Sequence, residues 1–206
     1  MPLQKEARVF VIAGLGYGDE GKGTTVDWLA RRHATGGDVV CVRYNGGAQA
    51  AHNVVLPEGT HHTFSQFGSA TLAGAATFLS SHMVVNPLTM LVESDVLAGL
   101  PHPISIGDPL SRVHVDGTAL VTTRFHVAAN RVRELVKGAR DTHGSCGMGV
   151  HETMRDHQLG HPSIAVAGLL TPAFLRARRD QIQVQKFAAL RLAYPEAPKS
   201  RAREDE

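Results

Sequence analysis

Gly14-Leu-Gly-Tyr-Gly-Asp-Glu-Gly-Lys-Gly23 is the stretch on which the reading of this chain turns. In front of it, Arg8-Val-Phe-Val-Ile-Ala13 is short, apolar and rich in β-branched residues, which predicts a buried strand that stops at the glycines. Behind it, Val26, Leu29, Ala30 and His33 recur at helical spacing, and Gly36-Gly37 supplies a stop. Val39-Val-Cys-Val42 then reads as a second buried strand. Strand, glycine loop, helix, strand is the βαβ unit. The expected class is therefore α/β: a mostly parallel central sheet flanked by helices, with a P-loop-like glycine loop after the first strand.

Working outward, Val54-Val-Leu56 and His62-Thr-Phe64 flank a Pro57-Glu-Gly59 turn and predict short strands, as do Phe78-Leu79, Met83 to Val85, Pro103 to Gly107 and Val113 to Val115. Pro87 opens a helix through Leu97, at the position where its missing N–H is harmless. Val121, Phe125, Ala128, Val132 and Leu135 predict a helix over 118–137. A second glycine-rich loop runs from Thr142 to Gly149. A strand near Ile164 to Val166 follows, and then a helix capped by Thr171-Pro172 and reaching Ala193. Residues 1–194 are expected to form one domain, and 195–206 a disordered charged tail, because that stretch has little apolar surface to bury.

Composition narrows the function classes. Lys and Arg number 21 against 19 Asp and Glu, a formal net charge of +2, so no strong field attracts nucleic acid or anionic lipid. Two cysteines do not make a disulfide-stapled scaffold. No apolar run approaches the ~18 residues of a membrane span, and the start of the chain lacks a signal-peptide core. The expectation is a cytoplasmic protein that binds neither membrane nor nucleic acid.

The chemistry concentrates at the first loop. A glycine turn at a helix N-terminus offers backbone N–H groups to an anion, usually phosphate, and Lys22 adds an ammonium. The Walker pattern is inexact: Gly23 stands where a metal-binding hydroxyl is expected, and Thr24 comes one residue late. Asp19 and Glu20 would repel a phosphate on their own, which points to a metal ion or a proton-transfer task. Arg43 to Asn53 follows the second strand, at the sheet edge where α/β proteins bind ligands, and brings His52 toward the first loop. There, Asp19 and His52 would form a base and acid facing one substrate.

These residues resemble the adenylosuccinate synthetase family. Gly18-Asp-Glu-Gly-Lys-Gly23, Val42-Arg-Tyr-Asn-Gly-Gly47 and Ala51-His-Asn53 carry the likeness. It continues collinearly through Ser81-His-Met-Val-Val-Asn-Pro87, Thr142-His-Gly with Gly147-Met-Gly149, and Ala167-Gly-Leu-Leu-Thr-Pro172. The resemblance implies a ligase that uses GTP (or ATP) and Mg²⁺ to phosphorylate the 6-oxygen of IMP or a related oxo group, after which an amine such as aspartate displaces the phosphate. It implies Asp19 as the base and a Mg²⁺ ligand, with the Ala51 carbonyl as a further ligand. His52 would steady the moving phosphoryl group. Gly18, Glu20, Gly21, Lys22, Gly23 and Thr24 would hold the nucleotide phosphates. Asn45, Gly46, Thr142 and His143 would contact the substrate, Thr142 at its phosphate. A homodimer or a partner chain is expected.

The sequence departs from the family at Ala48 and Gln49, which stand for His-Asn, and at Cys146, which takes a cationic position. The family is also about twice as long. These departures motivate an alternative: a non-catalytic nucleotide-binding homologue, or a partner subunit that completes or regulates another chain. Outside the loops, His157-x₃-His161 has metal-ligand spacing, but Gly160 and Pro162 argue against one continuous helix there and favour solvated histidines. Arg176-Ala-Arg-Arg179 reads as the solvated face of the last helix.

Overall fold

The computed structural model describes residues 7–18, 20–33, 39–101, 107–137 and 145–195. Helix α1 (Lys22–His33) follows the glycine loop, and β1 (Val40–Gly46), β2 (His52–Val55) and β3 (His61–Phe64) come next. The chain continues through β4 (Ala76–Val85), α2 (Pro87–Gly99), β5 (Val113–Val115) and β6 (Leu120–Val121), and finishes with α3 (Arg124–Lys137), α4 (Val150–Gln158) and α5 (Pro172–Ala193). Strands β1, β4 and β5 lie in that order in one sheet. β6 pairs with β4 in parallel, Val84 opposite Leu120 and Val85 opposite Val121. β2 and β3 form an antiparallel hairpin, its register running from His52 opposite Phe64 to Val55 opposite His61. The α/β expectation holds, with parallel pairing at the sheet and helices interleaved with its strands.

The chain divides into two compact units. The first comprises residues 1–43, 50–78 and 90–114. Its main core is Val54, Leu56, Phe64, Phe67, Leu72 and Leu97, with Met90, Leu100, Leu110 and Val113 packed around it. Fully buried side chains of this size each contribute roughly 1.5–3 kcal/mol. The hairpin thus rests its Val54 and Phe64 face on the apolar side of α2. A second cluster of small residues, Ala30, Cys41, Ala70 and Ala75, seats α1 against β1. Gly68 lets its own loop lie against β1, since a Cβ there would lie 2.7 Å from Cys41 Sγ.

The second unit comprises residues 44–49, 79–89 and 115–206. Val121, Ile164 and Ile182 form its core, with Phe125, Val166, Leu169 and Leu175 against it. Beside this core lies a buried charge network. Lys186 on α5 donates to Glu152 Oε2 at 2.7 Å and Asp156 Oδ1 at 2.8 Å, both on α4. From α3, Arg133 Nε meets Glu152 Oε1 at 2.8 Å and His126 Nε2 approaches Asp156 Oδ2 at 3.2 Å. Burial pushes the Asp156 carboxyl up, but His126 and Lys186 outweigh it and hold the pKa at about 2.

Several expectations need correction. Residues Arg8–Ala13 form no strand: Val9 and Val11 are more than four-fifths exposed, and no ladder holds them among the described residues. Apolar, β-branched composition favours a strand but does not by itself supply the pairing that makes one. Phe78-Leu79 and Met83 to Val85 are parts of one strand, β4. The helix expected over 118–137 starts at Arg124, because Leu120-Val121 is taken by β6. Thr123 marks its true start: its N–H donates to His126 Nδ1 at 3.0 Å, the reach-back half of a capping box. Ile164 to Val166 is not a strand but an isolated bridge at Ala165 running into a 3-10 turn. Thr171 precedes α5 without a side-chain cap bond. The segment 102–106 and the tail 196–206 lie outside the described residues.

Candidate functional site

The glycine loop leads into α1 through Gly21, whose φ of 70° only glycine adopts readily. Within it, Glu20 folds back over the loop. Its Oε1 accepts from the Leu15 N–H at 2.9 Å and the Gly16 N–H at 2.5 Å, and its Oε2 accepts from Lys22 Nζ at 2.9 Å. Lys22 also donates to the Gly18 carbonyl at 2.9 Å. Gly14 makes room for this: a Cβ there would stand 2.0 Å from Glu20 Oε2 and 2.7 Å from Lys22 Nζ. The Lys22 ammonium and the Gly16 amide hold the Glu20 carboxyl below the usual carboxylate range. Two amides and an ammonium converging on one anionic group form a donor set suited to a phosphate oxygen pair.

His52 begins β2, against the first turn of α1, where a Cβ on Gly23 would meet His52 Cβ at 3.0 Å. Thr24 Oγ1 donates to the Asn53 carbonyl at 3.3 Å, so this hydroxyl fastens α1 to the hairpin. The imidazole is half-buried, with Ser69 Oγ 3.5 Å from Nδ1. Burial, and then the charges of Arg43 and Lys22, push its pKa down, so the ring is neutral at neutral pH.

Beneath His52, the 65–68 loop is pinned by two buried charges. The Glu93 carboxylate accepts from the N–H groups of Ser65, Gln66 and Phe67 at 3.0, 2.6 and 3.4 Å, and from the Ser65 hydroxyl at 2.8 Å. His62 Nε2 lies 3.4 Å away. Burial pushes Glu93 up, and His62 with these amides brings it below its usual value. The Arg43 guanidinium donates to the carbonyls of Ser65 and Phe67. Sequence reasoning missed Glu93, because apolar spacing along α2 does not tell a buried carboxylate from its exposed neighbour Asp95.

The first unit therefore gathers Gly18, Glu20, Gly21, Lys22, Gly23, Thr24, His52 and an exposed Ala51. Asn45 and Gly46 belong to the second unit, Asn45 exposed and Gly46 at a φ of 96°. Asp19, Thr142 and His143 lie outside the described residues. What is described of the second glycine loop hangs on Asn130, whose Oδ1 accepts from the Gly149 N–H at 3.1 Å and whose Nδ2 donates to Ser145 Oγ at 3.0 Å. Cys146 beside it is exposed. α4 ends at Gln158, so His157 and His161 do not share a helix face. No group of three or more His, Cys, Asp or Glu side chains is placed to hold a metal ion among the described residues.

Fold and loop together define an α/β protein with a glycine turn ahead of its first helix, closed over the carboxylate of its own Glu20. The adenylosuccinate synthetase family model matches residues 11–204, and the chain belongs to that family. It is 27% identical over 189 residues to the adenylosuccinate synthetase of Ralstonia nicotianae, covering 90% of this chain and 39% of that protein. It is 34% identical to the Synechococcus sp. (strain CC9311) adenylosuccinate synthetase, covering 91% of this chain and 40% of that one. The chain thus spans about two fifths of the length of the curated relatives it matches. Its fold is similar to that of fully ligated adenylosuccinate synthetase from Plasmodium falciparum, with TM-score 0.66, 18% identity, and coverage of 89% of this chain and 39% of that one. A cyanophage S-2L succinoaminodeoxyadenylate synthetase bound to dGMP and dATP is similar with TM-score 0.52 and 20% identity over 72% of this chain and 37% of that one.

Proposed function

We propose that this chain acts as an adenylosuccinate-synthetase-type ligase: it transfers the terminal phosphoryl of GTP or ATP to an oxo group of IMP or a related molecule, and an amine such as aspartate then displaces it. The observation that carries the reading is the glycine loop, where the Leu15 and Gly16 amides and the Lys22 ammonium already hold a carboxylate as they would hold a phosphate. Family membership supplies the reaction class.

Asp19 takes the proton from the nitrogen beside the oxo group, which leaves the oxygen nucleophilic. Lys22 and the loop amides, those of Leu15 and Gly16 with those of Gly21 and Gly23, bind the phosphates and position the terminal phosphoryl in line with that oxygen. His52, whose pKa its surroundings push down, donates a hydrogen bond to the transferring phosphoryl group. The Asp19 carboxylate and the Ala51 carbonyl are hard oxygen donors of the kind Mg²⁺ prefers, and they would hold the ion. Bound there, Mg²⁺ supplies charge neutralisation at the phosphates. Asn45, Gly46, Thr142 and His143 contact the acceptor substrate, Thr142 at its phosphate. The working form is a cytoplasmic homodimer, or this chain with a partner; residues 1–194 are its folded domain and 195–206 a charged tail.

The test is release of nucleoside diphosphate when the chain is mixed with Mg²⁺, GTP or ATP, and IMP. Asp19→Asn should lower the rate by at least ~100-fold, as expected for loss of a general base. Equal release by Asp19→Asn would remove Asp19 from the mechanism. Tight phosphate-site binding without turnover would instead identify a non-catalytic nucleotide-binding homologue or partner subunit.

A further inference from the structure

We propose that Glu20 is a resident anion of the glycine loop, occupying the phosphate cradle until a polyphosphate displaces it. The inference rests on the reading of this loop as a phosphate site and adds a control element to it. The Glu20 carboxylate uses both oxygens: Oε1 takes the Leu15 and Gly16 amides, and Oε2 takes the Lys22 ammonium. It sits so deep over Gly14 that a Cβ on that residue would overlap Oε2 at 2.0 Å, and a Cβ on Gly16 would come within 3.0 Å of Oε1. The carboxylate thus takes up the concavity that the glycines create, along with the three donors that line it.

A phosphate arriving at these donors competes with Glu20 for each of them. The competition is winnable because, among the described residues, these contacts alone hold the carboxylate. Glu20 and Lys22 keep 28% and 30% of their side-chain surface in solvent, and an exposed ion pair is held weakly. A triphosphate brings more charge and more acceptor oxygens to the same donors. Its apparent affinity is nevertheless reduced by the fraction of molecules in which the carboxylate is seated. Displacement also frees the Lys22 ammonium to follow the ligand. The expected consequence is a loop that rejects weak single anions and admits polyphosphates.

The experiment is calorimetric titration of the full chain with inorganic triphosphate at neutral pH, comparing wild type, Glu20→Gln and Glu20→Ala. Both variants should bind about five- to tenfold more tightly than wild type, in line with a carboxylate seated in four-fifths or more of the molecules. Equal affinity would overturn the competing-anion role and leave the phosphate site standing, and so would weaker binding by the variants. No binding by any of the three, with the fold intact by circular dichroism, would overturn the phosphate site and the proposal with it. A second measurement stands apart from affinity: the Leu15 and Gly16 amide NMR resonances should move on Glu20→Gln without any ligand. Unmoved resonances would show that the carboxylate does not occupy the cradle in solution.

Discussion

Two lysine–carboxylate pairs of nearly equal length behave oppositely in this molecule. Lys22 meets Glu20 at 2.9 Å in the glycine loop, and Lys186 meets Glu152 at 2.7 Å in the second unit. The first pair keeps more than a quarter of each side chain in solvent, whereas the second keeps 4% and 2%. Water can replace either partner in the loop. Beside α5 it has no access, and each charge depends on the others for its solvation. Distance alone therefore says little about what an ion pair does. The exposed pair is suited to exchange with a ligand, and the buried one fixes three helices.

The strongest way to break this comparison is to remove the buried cation. Lys186→Met keeps the side-chain length but leaves Glu152 and Asp156 without their shared partner. Stripping one member from a buried pair costs roughly 3–5 kcal/mol. Urea unfolding followed by circular dichroism should show a loss of that size; an unchanged midpoint would mean that Arg133 and His126 satisfy both carboxylates without help. Next is Glu93→Ala, which strands the N–H groups of Ser65, Gln66 and Phe67. Unsatisfied buried donors at ~1–3 kcal/mol apiece, partly relieved by entering water, put the total at roughly 3 kcal/mol. His52 should report it as well: with the 65–68 loop loosened, its depressed pKa should rise toward the ordinary histidine value in a proton NMR titration.

Acid should also loosen the buried network. Asp156 is held at about 2, below its ordinary value of 3.8, so its ionised form is favoured by folding. A carboxylate with a depressed folded-state pKa contributes stability that is complete above its unfolded pKa and disappears as pH falls through the folded one. A shift of that size corresponds to about 2 kcal/mol, lost between roughly pH 4 and pH 2. Asp156→Asn should flatten stability in that window. If the wild type loses nothing there, the carboxylate is not paired as described.

The contrast between the two regions also explains what could be read in advance. The glycine loop was legible because its signal is local: Gly14 to Gly23 declares a tight turn, a cation and a helix start within ten residues. The hairpin around Pro57-Glu-Gly59 and the helix from Pro87 were legible for the same reason. α4 was not, since the face it buries carries Glu152 and Asp156 rather than apolar residues, and a search for apolar periodicity passes over it. Val121 fitted the spacing of α3 but was claimed by a strand pairing with Val85, a partner far away in sequence. Arg8 to Ala13 failed in the opposite direction, having the composition of a strand but no ladder partner among the described residues. The loop's donors could be inferred from the glycines and Lys22, but which acid would turn back onto them could not, because that depends on the backbone path through Glu20.

The smallest expected effect tests the exposed pair. In a urea titration Glu20→Gln should cost the chain only a small part of the loss expected for Lys186→Met, as befits a carboxylate seated in about four-fifths of the molecules. Lys22→Met should cost no more, and because the two side chains share one contact, a double-mutant cycle should return a coupling no larger than either single loss. A coupling as large as the loss expected for Lys186→Met would make the pair part of what holds α1 to the loop. With so small a coupling and a changed affinity for triphosphate, the difference between these two lysine–carboxylate pairs becomes one of purpose, since only a contact that contributes little to folding can be given up each time a ligand enters.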